Sequence, residues 1–234
     1  MTGAHGGRGL HVRVKTARGR KLSSTRWLQR QLNDPFVRAA REAGYRSRAA
    51  YKLVELDDRF HFLKPGVRVL DLGAAPGAWT QVALERVGKG GQGGKHGEVF
   101  ALDRVEMEPL EGATVLTLDV EDEGALEELR RELGGPLDAI LSDMAAPATG
   151  HTGTDHLRIM ALCEAACDLA SHLLRPGGTL VVKVLQGGAE AGLLAQMKKD
   201  FAIVKHVKPK ASRSDSAEIY AVATGFRGDP KVED

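Results

Sequence analysis

The chain has 234 residues, of which 42% are hydrophobic and 27% charged, and a formal net charge of +2. These values suit one globular domain with an appendage, and they exclude collagenous, coiled-coil and wholly disordered chains. The longest apolar stretches, such as 179–185, fall far short of the ~18–20 residues that a membrane span needs.

The N-terminus is basic but has no apolar core behind it, so it does not read as a secretory signal. Residues 1–52 carry 13 Lys/Arg against two acids, Asp34 and Glu42, for a net of +11, and the other 182 residues net −9. A segment so charged attracts a polyanion at long range, in a salt-dependent way. Trp27, Phe36, Tyr45 and Tyr51 are interleaved with these charges and suit stacking on bases or packing on the domain. Nucleic acid is the favoured partner. Residues 1–22, rich in Gly and Arg, predict a disordered basic tail. The domain is expected over 23–226, with basic, nucleic-acid-facing helices in 23–62 and a short tail at 227–234.

Ser23, Ser24 and Thr25 precede Trp27, Leu28 and Leu32, which predicts a short capped helix. Ser47 is placed to cap a second helix running to about Phe60. Lys64-Pro65-Gly66 then punctuates the chain. Short aliphatic runs at 67–73, 98–103, 114–120, 137–144 and 179–185 predict strands, with helical stretches near 77–87, 122–133, 155–174 and 189–200. That alternation specifies βαβ units around a parallel sheet. The last runs, 201–207 and 218–223, are joined by a loop alone and must therefore be antiparallel. The predicted class is α/β: a Rossmann-like, doubly wound, mostly parallel seven-stranded sheet closed by a C-terminal antiparallel pair. Residues 88–97 hold six glycines and read as a mobile loop without a phosphate-loop signature.

The first strand ends in Asp71-Leu72-Gly73-Ala74-Ala75-Pro76-Gly77-Ala78-Trp79. Glycines at such a strand-to-helix turn let backbone approach a ligand, and open α/β sheets bind ligands at the C-terminal ends of their strands. The spacing lacks the Gly-x-Gly-x-x-Gly dinucleotide fingerprint, which argues against a nicotinamide dehydrogenase. Asp103 ends the second strand, where a carboxylate can accept from a ribose diol, and Asp119 near the end of the third can face an adenine edge. Each Asp alone could equally be a turn or capping residue. Together the three strand ends describe a nucleoside-type pocket.

Lys183 interrupts the apolar run 180–185, which reads as a central strand buried on both faces. Lysine is almost never buried without a partner or a role, and burial disfavours its charged form, which is how base lysines are made. The alternative is a strand-end lysine that snorkels to water. Asp143 ends the neighbouring fourth strand, Glu218 opens the last strand, and Lys52 lies on the helix before the sheet. Cys163 and Cys167, spaced i, i+4 on an apolar helix, read as core, and with eight scattered histidines they call for no metal site. Two cysteines cannot staple such a chain, so a reducing cytoplasm is the expected compartment.

These motifs resemble the FtsJ/RrmJ family of ribosomal RNA 2′-O-methyltransferases from about Ser23 to Gly225. The resemblance rests on Ser23 to Leu28, Arg46-Ser47-Arg48-Ala49 leading to Lys52-Leu53, Asp71 to Gly77, Ser142 to Ala145, Val181 to Gly187 and Ser214 to Tyr220. Ala78 stands where the family commonly has a second Gly, and the Pro of the loop after Asp143 is moved by one place. The family's Lys-Asp-Lys-Glu tetrad falls on Lys52, Asp143, Lys183 and Glu218. The resemblance implies S-adenosyl-L-methionine as methyl donor, held by Gly73, Pro76, Gly77, Trp79, Asp103, Asp119 and Asp143, with no metal. It implies 2′-O-methylation of a uridine ribose in the 23S rRNA of the large ribosomal subunit, within the 50S particle, by a monomer without an obligate protein partner. Arg26, Arg46, Arg48, Lys205, Lys208, Lys210 and Arg213 are the expected phosphate contacts. A ribose methyltransferase acting on tRNA and a non-enzymatic ribosome-assembly factor are the alternatives.

Overall fold

The computed structural model describes residues 21–88, 96–147, 149–186, 190–214 and 216–228, with Val12, Val14 and Gly19 ahead of them. Most of the expected tail 1–22 and of the Gly-rich loop 88–97, Gly187, and residues 229–234 of the C-terminal tail lie outside the described residues.

Three helices precede the sheet: α1 (Leu22–Asn33), α2 (Pro35–Ala43) and α3 (Ala50–Phe60). The sequence reading expected two. The helix it missed starts where Asp34 accepts from the Phe36 N–H at 3.0 Å and Pro35 takes the first helical position, and it ends on Gly44 in the left-handed region. The expected serine caps are not used. Lys21 occupies the α1 cap position, and Thr25 Oγ1 donates back to the Lys21 carbonyl. Ser47 Oγ instead accepts from the Ala49 N–H at 3.1 Å, making the turn that leads into α3.

Val12 and Val14 lie along α1. The Val12 N–H donates to Asn33 Oδ1 at 2.8 Å, and the Val12 carbonyl accepts from Gln29 Nε2 and Asn33 Nδ2 at 2.6 and 2.9 Å. Two amide side chains one helical turn apart thus grip tail backbone. At this point the tail is docked rather than solvated.

The remaining elements alternate: β1 (Arg68–Leu72), α4 (Ala78–Val87), β2 (Glu98–Asp103), β3 (Ala113–Thr117), α5 (Ala125–Leu133), β4 (Leu137–Ser142), α6 (Thr152–Leu173), β5 (Leu174–Leu185), α7 (Glu190–Asp200), β6 (Phe201–Val207) and β7 (Glu218–Phe226). The strands form one sheet in the order β3-β2-β1-β4-β5-β7-β6, parallel from β3 to β5. β7 runs antiparallel to both β5 and β6 and lies between them. The order reverses between β1 and β4, the switch point at which open sheets receive ligands.

Alternate strand residues face opposite sides. Leu70, Leu72, Leu102, Ile140, Leu180 and Val182 pack into one core with residues of α5, α6 and α7. Val69, Val99, Leu141, Val181 and Val222 pack into the other with Leu53 and Leu56 of α3 and Trp79 and Val82 of α4. Lys183, two residues after Val181, therefore points to the α3 side, and α3 carries Lys52.

Candidate active site

Asp143 is the first residue beyond β4 and anchors the polar cluster at the C-terminal edge of the sheet. Lys183 Nζ donates to the Asp143 backbone oxygen at 2.8 Å and lies 3.1 Å from Asp143 Oδ1. Lys52 Nζ lies 3.5 Å from Asp143 Oδ2 and 3.7 Å from Glu218 Oε2. Lys183 is only 4% exposed, whereas Glu218 is 32% exposed at the solvent end of the cluster. All four residues picked out in the sequence meet here.

A fifth residue completes the cluster, and the sequence reading gave it no role. Tyr220 faces Lys183 directly in the β5–β7 register. Its hydroxyl donates to Asp143 Oδ1 at 2.6 Å and accepts from Lys52 Nζ at 2.9 Å. Burial, then the Asp143 charge and hydrogen bond, raise the Tyr220 phenol well above its usual range, so it stays a donor. Burial also pushes the Asp143 carboxyl up, but the Lys183 and Lys52 ammoniums and the Tyr220 hydroxyl outweigh it and hold it below the usual carboxylate range. The signal for Tyr220 was its spacing: it lies two residues after Glu218 on the same strand face.

Beside this cluster a cleft of about 600 Å³ opens along the ends of β1, β2, β3 and β4. Gly73, Asp103, Asp119 and Asp143 line it, joined by Arg104 and by Arg158, Ala161 and Leu162 of α6, which the sequence reading did not single out. Gly73 has φ +71°, and a side chain there would place its Cβ 2.7 Å from Met144 Cγ, so only glycine keeps this wall open. Asp103 Oδ2 accepts from the Ala75 N–H and Oδ1 from the Val105 N–H, each at 2.9 Å. Asp119 Oδ1 accepts from the Glu121 N–H at 3.1 Å. Both carboxylates therefore shape their turns, and each oxygen retains a lone pair for a ligand. Spare carboxylate acceptors at two strand ends and a glycine wall fit a nucleoside-bearing ligand.

Pro76, Gly77 and Trp79 do not line the cleft. Trp79 is buried, donates its indole N–H to the Ala49 carbonyl at 2.8 Å and packs against the Tyr220 ring at 5.6 Å, so it buttresses the cluster. Below the turn, Asp71 is fully buried and accepts from Thr80 Oγ1 at 2.7 Å, and burial pushes its carboxyl up to about 7.

The expected phosphate contacts divide. Lys205, Lys208 and Lys210 are exposed and Arg213 is half-buried, all on β6 and the loop that follows it. Lys208 Nζ is held by the Ser214 and Ser216 carbonyls at 3.3 and 2.6 Å. The Arg26 side chain lies outside the described residues. Arg46 and Arg48 are engaged with the protein itself. Arg48 pairs with Asp34, donates to the Ala211 carbonyl and packs on the Phe36 ring. Arg46 donates to three backbone carbonyls, of Pro76, Glu108 and Pro109.

Among the described residues no helix is long and apolar enough to cross a membrane.

Comparison with known proteins agrees with this geometry. The ribosomal RNA large subunit methyltransferase E of Parvibaculum lavamentivorans is 59% identical over 230 residues, covering 97% of this chain and 91% of that protein. The protein of the same name from Paramagnetospirillum magneticum is 59% identical over 229 residues, covering 96% of this chain and 92% of its own. The crystal structure of a putative ribosomal RNA methyltransferase from Plasmodium falciparum superposes with a TM-score of 0.70 at 32% identity, covering 79% of this chain and all of that one. The FtsJ-like methyltransferase pattern itself runs from residue 45 to 226, taking in the cleft and the whole Lys52–Asp143–Lys183–Glu218 cluster, and the chain belongs to that family.

Proposed function

We propose that this chain transfers the methyl group of S-adenosyl-L-methionine to the 2′-hydroxyl of a uridine ribose in 23S rRNA, with the large ribosomal subunit as substrate. The observation that carries this reading is the placement of Lys183, fixed by two oxygens of Asp143, beside a nucleoside-sized cleft. When bound, the cofactor supplies an electrophilic methyl on a sulfonium centre. Asp103 and Asp119, which line the cleft, would offer acceptors to its ribose and adenine, and Asp143 would offer negative charge to the cationic donor.

A ribose hydroxyl is a weak nucleophile until its proton is removed. Lys183 Nζ is placed to accept that proton from the hydroxyl that would receive the methyl group. Asp143 orients the nitrogen through its backbone oxygen and Oδ1, which leaves one direction on Nζ for the hydroxyl. Lys52, bridging Asp143 and Glu218, fixes the outer half of the site, and the Glu218 carboxylate helps to hold the hydroxyl in line. Holding the hydroxyl in a fixed orientation beside the cleft would supply up to ~7–11 kcal/mol of barrier reduction. The RNA reaches the site across the strand ends, met by Lys205, Lys208, Lys210 and Arg213. A single-stranded or loop nucleotide suits such a site, because the deep major groove of an RNA duplex is closed to side chains.

The test is transfer of labelled methyl to undermodified large subunits, with tRNA in parallel, followed by mapping of ribose methylation. Label on one 23S uridine supports the proposal, and label on tRNA alone overturns the substrate. Full turnover by Lys183→Ala with the cofactor still bound would overturn the base assignment.

A further inference from the structure

Arg46 was expected to meet RNA, yet its guanidinium is engaged with backbone carbonyls of the protein itself. Arg46 Nη1 donates to the Pro76 carbonyl at 2.9 Å and the Glu108 carbonyl at 2.7 Å, and Nη2 donates to the Pro109 carbonyl at 2.9 Å. Pro76 belongs to the turn after β1, whose Gly73 and Ala75 form one wall of the cleft. Glu108 and Pro109 belong to the loop after β2, which starts from the other wall at Asp103 and Arg104. One planar fork therefore ties together the two segments that continue from these walls, and no other cationic side chain offers that donor geometry.

The surroundings are built for this tie. Gly77 has φ +106°, and a Cβ there would fall 3.0 Å from Arg46 Nη1 and 2.8 Å from Leu110 Cδ1. Its lack of a side chain is thus what lets Arg46 lie against the turn. Gln81 of α4 holds the arginine's own backbone, accepting from the Arg46 N–H at 2.8 Å and donating to the Gly44 carbonyl at 3.0 Å. Two residues on, Arg48 fastens the same segment to Asp34 at the start of α2 and to Ala211 in the basic loop after β6.

We propose that Arg46 is a positioning residue of the cofactor site, setting the spacing of the two cleft walls and linking them to the RNA-facing elements. The inference rests on the reading of the cleft as the S-adenosyl-L-methionine pocket. It is tested with the full chain by calorimetric titration of S-adenosyl-L-methionine, and of RNA in parallel, on the wild type, Arg46→Ala and Arg46→Lys. Thermal melting checks folding. Lysine keeps the charge and the stem but cannot bridge three carbonyls, so both variants should bind the cofactor about 10–100-fold more weakly, the loss expected for charge-assisted hydrogen bonds. RNA affinity should change far less, and added methylguanidinium should restore part of the cofactor affinity of Arg46→Ala. If Arg46→Ala fails to fold, Arg46→Lys decides alone. Unchanged cofactor affinity in Arg46→Lys, or a loss confined to RNA, overturns the proposal. Absence of cofactor binding by the wild type overturns instead the reading on which it rests.

Discussion

Tyr220 donates its hydroxyl hydrogen to Asp143 Oδ1 at 2.6 Å, the same carboxylate oxygen that Lys183 approaches at 3.1 Å. One oxygen thus serves both the candidate base and a phenol that burial keeps protonated. Tyr220→Phe removes this donor together with the acceptor that the hydroxyl offers to Lys52, and leaves the ring in place. Because the folded-state pKa of Asp143 is lowered, the stability it lends is present above the ordinary carboxylate value and disappears as pH falls through the folded value. The variant should lose about 1–2 kcal/mol in urea denaturation at neutral pH. It should also begin to fail in acid at a higher pH than the parent. Coincident acid-unfolding curves would show that the hydrogen bond contributes nothing.

Asp71 shows the opposite sign. Its carboxyl is fully buried, has an oxygen without a partner and is pushed up to about 7, against ~3.9 in an unfolded chain. Between those values the folded state holds a proton that the unfolded state has released, so stability falls as pH rises through the window. The full effect is about 4 kcal/mol. Asp71→Asn keeps an acceptor for Thr80 and cannot ionise, so its melting temperature should vary less between pH 4 and 7 (roughly the window set by the two values). Parallel profiles for parent and variant would show that Asp71 ionises like an exposed carboxyl.

Gly73→Ala tests the cleft wall directly. The substitution forces a side chain into positive φ and against Met144, where its Cβ would lie 2.9 Å from the Met144 Cα. We expect destabilisation of about 1–3 kcal/mol and loss of the rise in melting temperature that S-adenosyl-L-methionine should give the parent. A full ligand-induced rise in the variant would place the cofactor elsewhere.

Lys205 and Lys210 test the RNA face, since both are exposed and no hydrogen bond or ion pair of either ammonium is found among the described residues. Removing both should reduce the slope of log affinity against log salt by about 1.4 for single-stranded contacts. The rate at saturating RNA should stay unchanged. An unaltered slope would move the RNA path away from β6.

Lys183 was legible in the sequence because a charge inside an apolar run has few physical explanations, and Asp143 because it ends the next strand. Tyr220 was not, since tyrosine is an ordinary strand former and its role comes only from facing Lys183 across two strands. Arg46 and Arg48 misled for a related reason. Clustered charge in a sequence suggests solvent or phosphate, whereas their acceptors lie in distant loops, at Glu108, Pro109 and Ala211. The sheet was readable down to its antiparallel end because strand and helix periods differ. The short helix α2 was overlooked although Asp34-Pro35 marks its start.

The position of β7 between β5 and β6 has a consequence for synthesis. β6 is translated before β7, yet among the described residues β7 is the only strand it pairs with. Glu218 and Tyr220 also belong to this last strand, so a nascent chain that has not released it from the ribosome lacks two members of the cluster and has an unpaired strand edge. Loss of the last strand by premature termination would therefore leave neither a complete cluster nor a settled sheet. The cluster is completed in the same event that closes the fold.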